Sequence, residues 1–359
     1  MVDTLTYNFK IKSSVHDYEV QFIENTQQSL NQELKKGDFI IIDRKVKTLY
    51  SSQLSAILEN YQHITIDANE KQKSYQELIP VIQYLIENGF RKNNRLIAIG
   101  GGITQDVTTF ISSILYRGIN CIFYPTTLLA QGDSCIGSKT SINFGTYKNQ
   151  IGGFYPPNKI LINSAFLDTL TDSELKSGLG EMCHYFIVAG EADFSRFKRE
   201  YETALKDKKV LSGIISRSLE IKKSYIEIDE FDRNERQVFN YGHSFGHAIE
   251  SLTNYTVPHG IAVSYGMDMA NFISVKLDFI PMEIRTNIRE LLEKIWHGYN
   301  IKNIPLDKFK IALSKDKKNV GNKLGLILNK GYGKIFKNVM DADQNFTIWM
   351  EEYFANELN

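Results

Sequence analysis

The sequence predicts an α/β domain over residues 1–170 followed by an all-α domain over residues 171–359. Three observations carry this expectation. A chain of 359 residues is longer than one core of ordinary size serves, so two domains are expected. Short β-branched runs alternate with helical periodicity through the first part, with few hairpin signals, as in a mainly parallel sheet. After about residue 170 the strand signals fade and apolar residues recur at helical spacing.

In chain order, DFIIID (Asp38 to Asp43) and HITID (His63 to Asp67) read as strands. YQELIPVIQYLIENG places Leu78, Ile82 and Leu85 at helical spacing before a glycine stop. RLIAIGGG ends a buried strand in Gly100, Gly101 and Gly102, ITQDVTTFISSILYRG continues as a helix, and CIFYPTTLLA is the next strand. Glycines at a strand-to-helix turn let backbone amides approach a pyrophosphate, and the helix N-terminus favours the anion. The pattern is not GxGxxG, and a triple glycine serves a tight bend equally well. Asp43 closes its strand, where it could hold a ribose hydroxyl.

Residues 132–149, GDSCIGSKTSINFGTYKN, read as a flexible Gly- and Ser-rich loop holding Asp133, Lys139, Lys148 and Asn149. Those groups suit a phosphorylated, hydroxylated ligand, and a solvated surface loop tolerates them as well. PPNKILIN reads as the last strand, ending near Asn163. Helices then follow in SELKSGLGEMCHYFIVAG, VLSGIISRSLEIKKSYIEI, GIAVSYGMDMANFISVKL and MEIRTNIRELLEKIW. SKDKKNVGNKLGLILNKGYG reads as a basic loop leading into a hairpin or strand.

Composition excludes several classes of function. Lys plus Arg and Asp plus Glu are 42 each, so no basic surplus points to nucleic acid and any phosphate site is local. Hydrophobic content of 42% and charged content of 23% are those of a soluble globular protein. Cys121, Cys135 and Cys183 are odd in number and lack CxxC spacing, against both a disulfide framework and a cysteine zinc site. There is no apolar leader and no long apolar run, so a cytoplasmic chain without a membrane partner is expected.

The stretch from Asn234 to His259 carries the strongest chemical signal. Taken as one helix, Arg236, Asn240, His243 and His247 fall at about 0°, 40°, −20° and 20°, a narrow polar stripe. A core-facing stripe would be apolar and a solvated one richer in Lys and Glu, so this face is expected to look into a polar cavity. His259 follows in Pro258-His259-Gly260, at a turn or helix start. Three imidazoles so close in sequence can supply metal ligands, with His243 and His247 at i, i+4. In the helix before them, Glu181 and His184 stand at i, i+3.

On the runs GGGITQDVTTFISSILYRG, PTTLLAQGDSCIGSKTSIN, YKNQIGGFYPP, SGLGEMCHY, FNYGHSFGHAIE, VPHGIAV and KDKKN, spread from about residue 95 to 320, the chain closely resembles the 3-dehydroquinate synthase family of sugar phosphate cyclases. The resemblance implies a Rossmann-like α/β domain that binds NAD, a helical domain that binds metal and substrate, and a homodimer. It implies zinc, or cobalt or another divalent metal, on Glu181, His243 and His259, with His247 a phosphate residue and not a ligand. Lys139, Asn149, His247 and Lys317 or Lys318 would bind the substrate phosphate, joined by Arg117 across a dimer interface. Lys222 and Arg236 would hold the substrate carboxylate, and Asp133 and Asn240 ring hydroxyls. Asp43, Glu70, Lys73, Gly100, Gly101 and Gly102 would contact NAD. Asp106, Thr126, Thr127, Lys139 and Lys148 would complete that cofactor site.

The implied activity converts 3-deoxy-arabino-heptulosonate 7-phosphate to 3-dehydroquinate and phosphate, on the shikimate route to aromatic amino acids. It proceeds by transient NAD oxidation, β-elimination of phosphate, reduction and intramolecular aldol closure, with no net redox. Three positions depart from the family pattern. His184 stands where lysine is usual, an imidazole mostly neutral at pH 7 in place of an ammonium. Asp232 replaces a glutamate, and Ser138 replaces a glycine. The change at His184 leaves open a related substrate, such as an amino-substituted sugar phosphate. A non-catalytic relative and an NAD-dependent polyol dehydrogenase are the remaining alternatives; net NADH accumulation would mark the latter.

Overall fold

The computed structural model describes residues 7–145, 147–315, 319 and 323–358. It resolves into two compact units, Met1–Leu170 with Lys222–Phe231, and Thr171–Ile221 with Asp232–Asn359. A single cut near residue 170 therefore omits one detail: the segment from Lys222 clusters with the first unit although the helix that carries it begins in the second.

The first unit contains strands β1 (Phe9–Ile11), β2 (Tyr18–Phe22), β3 (Phe39–Asp43), β4 (Gln62–Ile66), β5 (Leu96–Gly100), β6 (Cys121–Pro125), β7 (Lys139–Phe144), β8 (Tyr147–Phe154) and β9 (Lys159–Ile162). Its helices are α1 (Thr26–Glu33), α2 (Arg44–Leu49), α3 (Ser51–Asn60), α4 (Tyr75–Glu87) and α5 (Gly102–Ile114). Seven strands form one sheet in the order β1-β2-β9-β6-β5-β3-β4. Only β1 pairs antiparallel; the β2–β9, β9–β6, β6–β5, β5–β3 and β3–β4 ladders are parallel. Every residue of β5 and β6 is buried, which is why both read as unbroken apolar runs. Ile40, Ile42, Ile97, Ile99, Ile122, Tyr124 and Leu161 form the core beneath α1 and α3.

Two features correct the reading from sequence. The short edge strand β1 and its neighbour β2 carry no apolar run strong enough to announce them. The segment 132–149 is not a flexible loop: a helical turn at Ala130–Ser134 leads into the antiparallel β7–β8 hairpin. A Cβ on Gly152 would lie 1.9 Å from the Thr140 carbonyl oxygen. That glycine permits a close cross-strand approach.

The second unit is helical: α6 (Asp172–Ala189), α7 (Glu191–Ala204), most of α8 (Lys208–Ile226), α9 (His243–Leu252), α10 (His259–Lys276), α11 (Met282–Trp296), α12 (Leu306–Ser314) and α13 (Gln344–Glu352). One antiparallel hairpin, β10 (Lys323–Asn329) and β11 (Ile335–Asp341), accompanies them. α10 is buried on all sides from Gly260 to Ser274, as expected of a helix at the centre of a bundle. α6 starts with a capping box between Thr171 and Glu174. Among the described residues no helix is long and apolar enough to cross a membrane. Cys121, Cys135 and Cys183 are buried and free of disulfides.

Candidate functional site

Three helices of the second unit bring Glu181, His243 and His259 together. α6 carries Glu181, which is only 3% exposed. α9 begins with His243, directly after Gly242 at φ +83°, and α10 begins with His259 after the N-cap Pro258. The helices approach through glycines. A Cβ on Gly180 would meet the Gly260 carbonyl oxygen at 2.4 Å, and one on Gly266 would meet the Gly242 carbonyl oxygen at 2.0 Å. No larger residue would allow these crossings.

The resulting geometry is specific. His243 Nε2 lies 3.3 Å from Glu181 Oε1, and His259 Nε2 lies 3.2 Å from Glu181 Oε2. Ligand atoms of a tetrahedral ion with bonds of about 2.1 Å sit roughly 3.4 Å apart, and each imidazole stands near that distance from a different oxygen of the one carboxylate. Each imidazole also has an outer acceptor: Nδ1 of His243 faces the Tyr241 carbonyl oxygen at 3.3 Å, and Nδ1 of His259 faces Glu250 Oε2 at 2.9 Å. Burial alone would raise the Glu181 carboxyl, but His243 and His259 outweigh it and hold it well below its usual range. Burial would lower His259, yet Glu250 and Glu181 hold it well above the usual imidazole value. The donor set, one carboxylate and two imidazoles, fits a zinc-like ion with open coordination.

The stripe expected from sequence is not one helix. Arg236 and Asn240 lie in a 3-10 turn, Glu235–Asn240, and the left-handed Gly242 separates that turn from α9. His243 and His247 do share α9, with ring centroids 5.5 Å apart. Arg236 is 4% exposed, and Asn240 donates from Nδ2 to the Gln237 carbonyl. His184 is fully buried. Its ring lies 3.9 Å from that of Tyr185 and 5.7 Å from that of Phe239, and its Nδ1 is 3.9 Å from Glu181 Oε1. Asp232 adopts φ +56° just before the turn. Lys317 and Lys318 lie outside the described residues.

In the first unit the glycine turn joins β5 to α5. Gly101 is the N-cap of α5 and offers no capping side chain, so the first-turn amides are available to an anion. Side chains would not fit here: a Cβ on Gly100 would meet Thr104 Oγ1 at 2.3 Å, and one on Gly101 would meet Thr127 Cγ2 at 2.9 Å. Thr126 N–H donates to the Gly100 carbonyl. A small open pocket lies beside this turn, and Gly102, Asp106, Ser134, Ser138 and Lys139 line it. Burial pushes the Asp106 carboxyl up although Lys73 Nζ stands 2.5 Å from Oδ2. Burial would raise Glu70 too, but a hydrogen bond from Asn143 and the charge of Lys148, 3.5 Å away, hold it low.

Asp43 caps α2 by accepting from Lys45 N–H, at the end of β3. Lys222, 6% exposed, donates from Nζ to both Oδ1 and the carbonyl oxygen of Asp133, each at 2.7 Å. Asn149, at φ +54°, donates its backbone N–H to Asn143 Oδ1. Arg117 stands apart from the cavity lining, at φ +64° in the turn after α5. Ser138 takes φ +65°, a conformation glycine would adopt without strain, and donates to Glu230 Oε1 at 3.0 Å.

Sequence reasoning missed Glu230, which gathers Ser13, Ser14 and Ser138, and it missed Glu250. A signal for Glu250 existed, since it follows His243 by seven residues and His247 by three and so shares their face of α9. Nothing local in sequence marks Glu230, whose partners are distant in the chain.

The chain matches two family descriptions, "3-dehydroquinate synthase N-terminal" over residues 63–177 and "3-dehydroquinate synthase C-terminal" over residues 178–319. A 3-dehydroquinate synthase of Dictyoglomus turgidum is 38% identical over 302 residues, covering 83% of this chain and 84% of that protein. Among solved structures, 2-epi-5-epi-valiolone synthase from Streptomyces hygroscopicus subsp. jinggangensis, with NAD+ and Zn2+ bound, superposes with a TM-score of 0.84 at 22% identity. It covers 96% of this chain and 98% of that one. A 2-deoxy-scyllo-inosose synthase complexed with carbaglucose-6-phosphate, NAD+ and Co2+ gives a TM-score of 0.82 at 21% identity, over 97% of this chain and 99% of that one. These two structures share the fold.

Proposed function

Because the chain belongs to the 3-dehydroquinate synthase family, we propose that it is a phosphate-eliminating carbon–oxygen lyase. It converts 3-deoxy-arabino-heptulosonate 7-phosphate to 3-dehydroquinate and phosphate on the shikimate route, with NAD and one divalent ion. The observation that supports this most is the approach of two Nε2 atoms to the two oxygens of one buried carboxylate, at 3.3 and 3.2 Å. Glu181, His243 and His259 would hold zinc, cobalt or another divalent ion. Gly100 to Gly102 at the start of α5 would hold NAD, with Asp43, Glu70, Lys73, Asp106, Thr126, Thr127 and Lys148 around it. When bound, NAD accepts and returns a hydride, and the ion acts as a Lewis acid on the oxygens at the reacting carbon.

The chain's own groups orient the substrate. Lys139, Asn149, His247 and a lysine at 317 or 318 bind the phosphate that leaves. Lys222 and Arg236 grip the carboxylate as cations. Asp133 and Asn240 accept from and donate to ring hydroxyls. Lys222 is already fixed by Asp133, so its side chain loses little freedom when substrate arrives, and fixed geometry contributes rate through effective concentration. A cytoplasmic homodimer in which Arg117 serves a neighbouring copy belongs to the same proposal.

The test is phosphate release from 3-deoxy-arabino-heptulosonate 7-phosphate by purified protein with NAD, with and without a chelator, while absorbance is followed for net NADH. Chelator-sensitive release without NADH build-up supports the proposal. NADH build-up would indicate a dehydrogenase, and no release with metal and NAD bound would overturn this substrate. A second reading, a related sugar phosphate as substrate, draws on His184: a fully buried ring packed on Tyr185 and Phe239 stands where the family's ammonium is usual.

A further inference from the structure

His259 meets a carboxylate at each ring nitrogen, Glu181 Oε2 at 3.2 Å from Nε2 and Glu250 Oε2 at 2.9 Å from Nδ1. His243 differs. Its Nδ1 faces a neutral, fixed acceptor, the Tyr241 carbonyl oxygen at 3.3 Å. The two imidazoles therefore turn the same nitrogen toward Glu181, but only one of them is held there by a charged side chain. That side chain belongs to α9, which also supplies His243, whereas His259 is the first residue of α10.

We propose that Glu250 is a positioning residue of the metal centre, fixing His259 as an Nε2 ligand by accepting a hydrogen bond from its Nδ1–H. The inference rests on the metal assignment proposed above and adds a residue to it. A carboxylate on the outer nitrogen selects the tautomer, sets the ring plane and strengthens Nε2 as a donor. α9 thus delivers one ligand directly, His243, and orients a second, His259, through Glu250 seven residues further on. The side chains of Glu250 and His259 are 15% and 29% exposed, so the charge-assisted bond is partly shielded from water.

His247, Glu250 and His259 could also be viewed as a separate metal-binding group, since their ligand atoms lie within 4.8 Å of one another. The 2.9 Å separation of Nδ1 and Oε2 argues against an ion there. It is a hydrogen-bond length, shorter than the roughly 3.4 Å between ligands of a tetrahedral ion, and two ions would require His259 to bridge them as an imidazolate. The proton between Nδ1 and Glu250 leaves His247 to other work.

The full chain is stripped of metal, and zinc is titrated against a chromophoric chelator to read affinity and stoichiometry. Removing an outer partner of this kind weakens metal binding about 10–100-fold. Glu250→Ala is expected to raise the zinc dissociation constant by that factor at an unchanged stoichiometry of one. Glu250→Gln, which still accepts from Nδ1–H but carries no charge, is expected to fall between it and the parent. His247→Gln is expected to leave the constant unchanged. Cobalt-substituted Glu250→Gln should show shifted d–d absorption, a change that loss of packing alone does not produce, while the metal-free proteins melt together.

Parent-like affinity in both Glu250 variants overturns the inference and leaves the metal assignment standing. A parent stoichiometry of two that drops to one in Glu250→Ala or His247→Gln overturns it in favour of a second ion. If the parent protein binds no zinc and no cobalt, the metal assignment and the inference fall together.

Discussion

Gly260→Ala separates helix propensity from helix approach as the determinant of the site. A Cβ at residue 260 would lie 1.8 Å from the Ser177 carbonyl oxygen and 2.7 Å from Glu181 N. Since Cβ contacts under 3.0 Å essentially never occur, α6 and α10 would part by the difference, 1.2 Å. Both obstacles are backbone atoms, so no rotamer change relieves the clash. Propensity alone would favour alanine in a helix by about 1 kcal/mol; overpacking costs about 1–3 kcal/mol, and a clash with backbone belongs at the upper end. A net loss of ~2 kcal/mol corresponds to a midpoint about 4–8 °C lower for a unit of this size.

The same displacement should affect the metal. Glu181 and His259 ride on the two helices that part, and ligand distances tolerate only about 0.2 Å. Zinc affinity is therefore expected to fall at least about tenfold. Thermal unfolding of the metal-free protein and zinc competition are the assays, with Gly153→Ala as control because nothing lies within 4 Å of its Cβ position. A Gly260→Ala protein that melts at or above the parent midpoint and binds zinc normally would refute the close-approach reasoning.

Other expectations follow from single groups. His259→Ala should lower metal content along with phosphate release; unchanged metal occupancy would remove His259 from the ligand set. His184→Lys should keep or raise phosphate release from the heptulosonate phosphate if the activity is the ordinary one, and a large loss would mark a pocket specialised for another substrate. Glu230 supplies a pH signature: burial would raise its carboxyl, but hydrogen bonds from Ser13, Ser14 and Ser138 outweigh it and hold it below its usual value. A depressed carboxyl stabilises above the unfolded value of about 4.3 and loses that contribution as pH falls through the folded value. Glu230→Gln should thus be less stable than the parent at neutral pH, by about 1 kcal/mol after solvent screening, and its thermal midpoint should converge with the parent's as pH falls through the folded value. Parallel midpoint curves across that range would exclude the contribution.

Much of the site was legible because its residues sit at short, regular spacings. Glu181 with His184, and His243 with His247, follow helical periods, and the glycine run after β5 marks its turn through composition alone. The buried strands β5 and β6 announced themselves as continuous apolar runs. The short strands β1 and β2 did not, since partly exposed strands lack that signal. Where a local rule failed, a backbone contact with a remote segment was the cause. Gly242 ends the 3-10 turn and starts α9 because a Cβ there would meet the Val263 carbonyl oxygen at 2.6 Å, and Gly152 gives the β7–β8 hairpin its close approach.

The amino-acid sequence by itself determined that an α/β half precedes a helical half, that the three cysteines suit neither a disulfide framework nor a cysteine zinc site, and that several imidazoles are available for a metal. These properties depend on composition and on spacing within single elements. Only the tertiary structure decided that His243 and His259 turn their Nε2 atoms to opposite oxygens of Glu181. It also decided that Glu250 stands behind His259, and that Lys222 leaves the helical unit to pair with Asp133. Glu181 lies far from His243 and His259 in the chain, and how closely these helices approach is set by how closely backbones can pass at Gly180, Gly260 and Gly266, which no local pattern encodes.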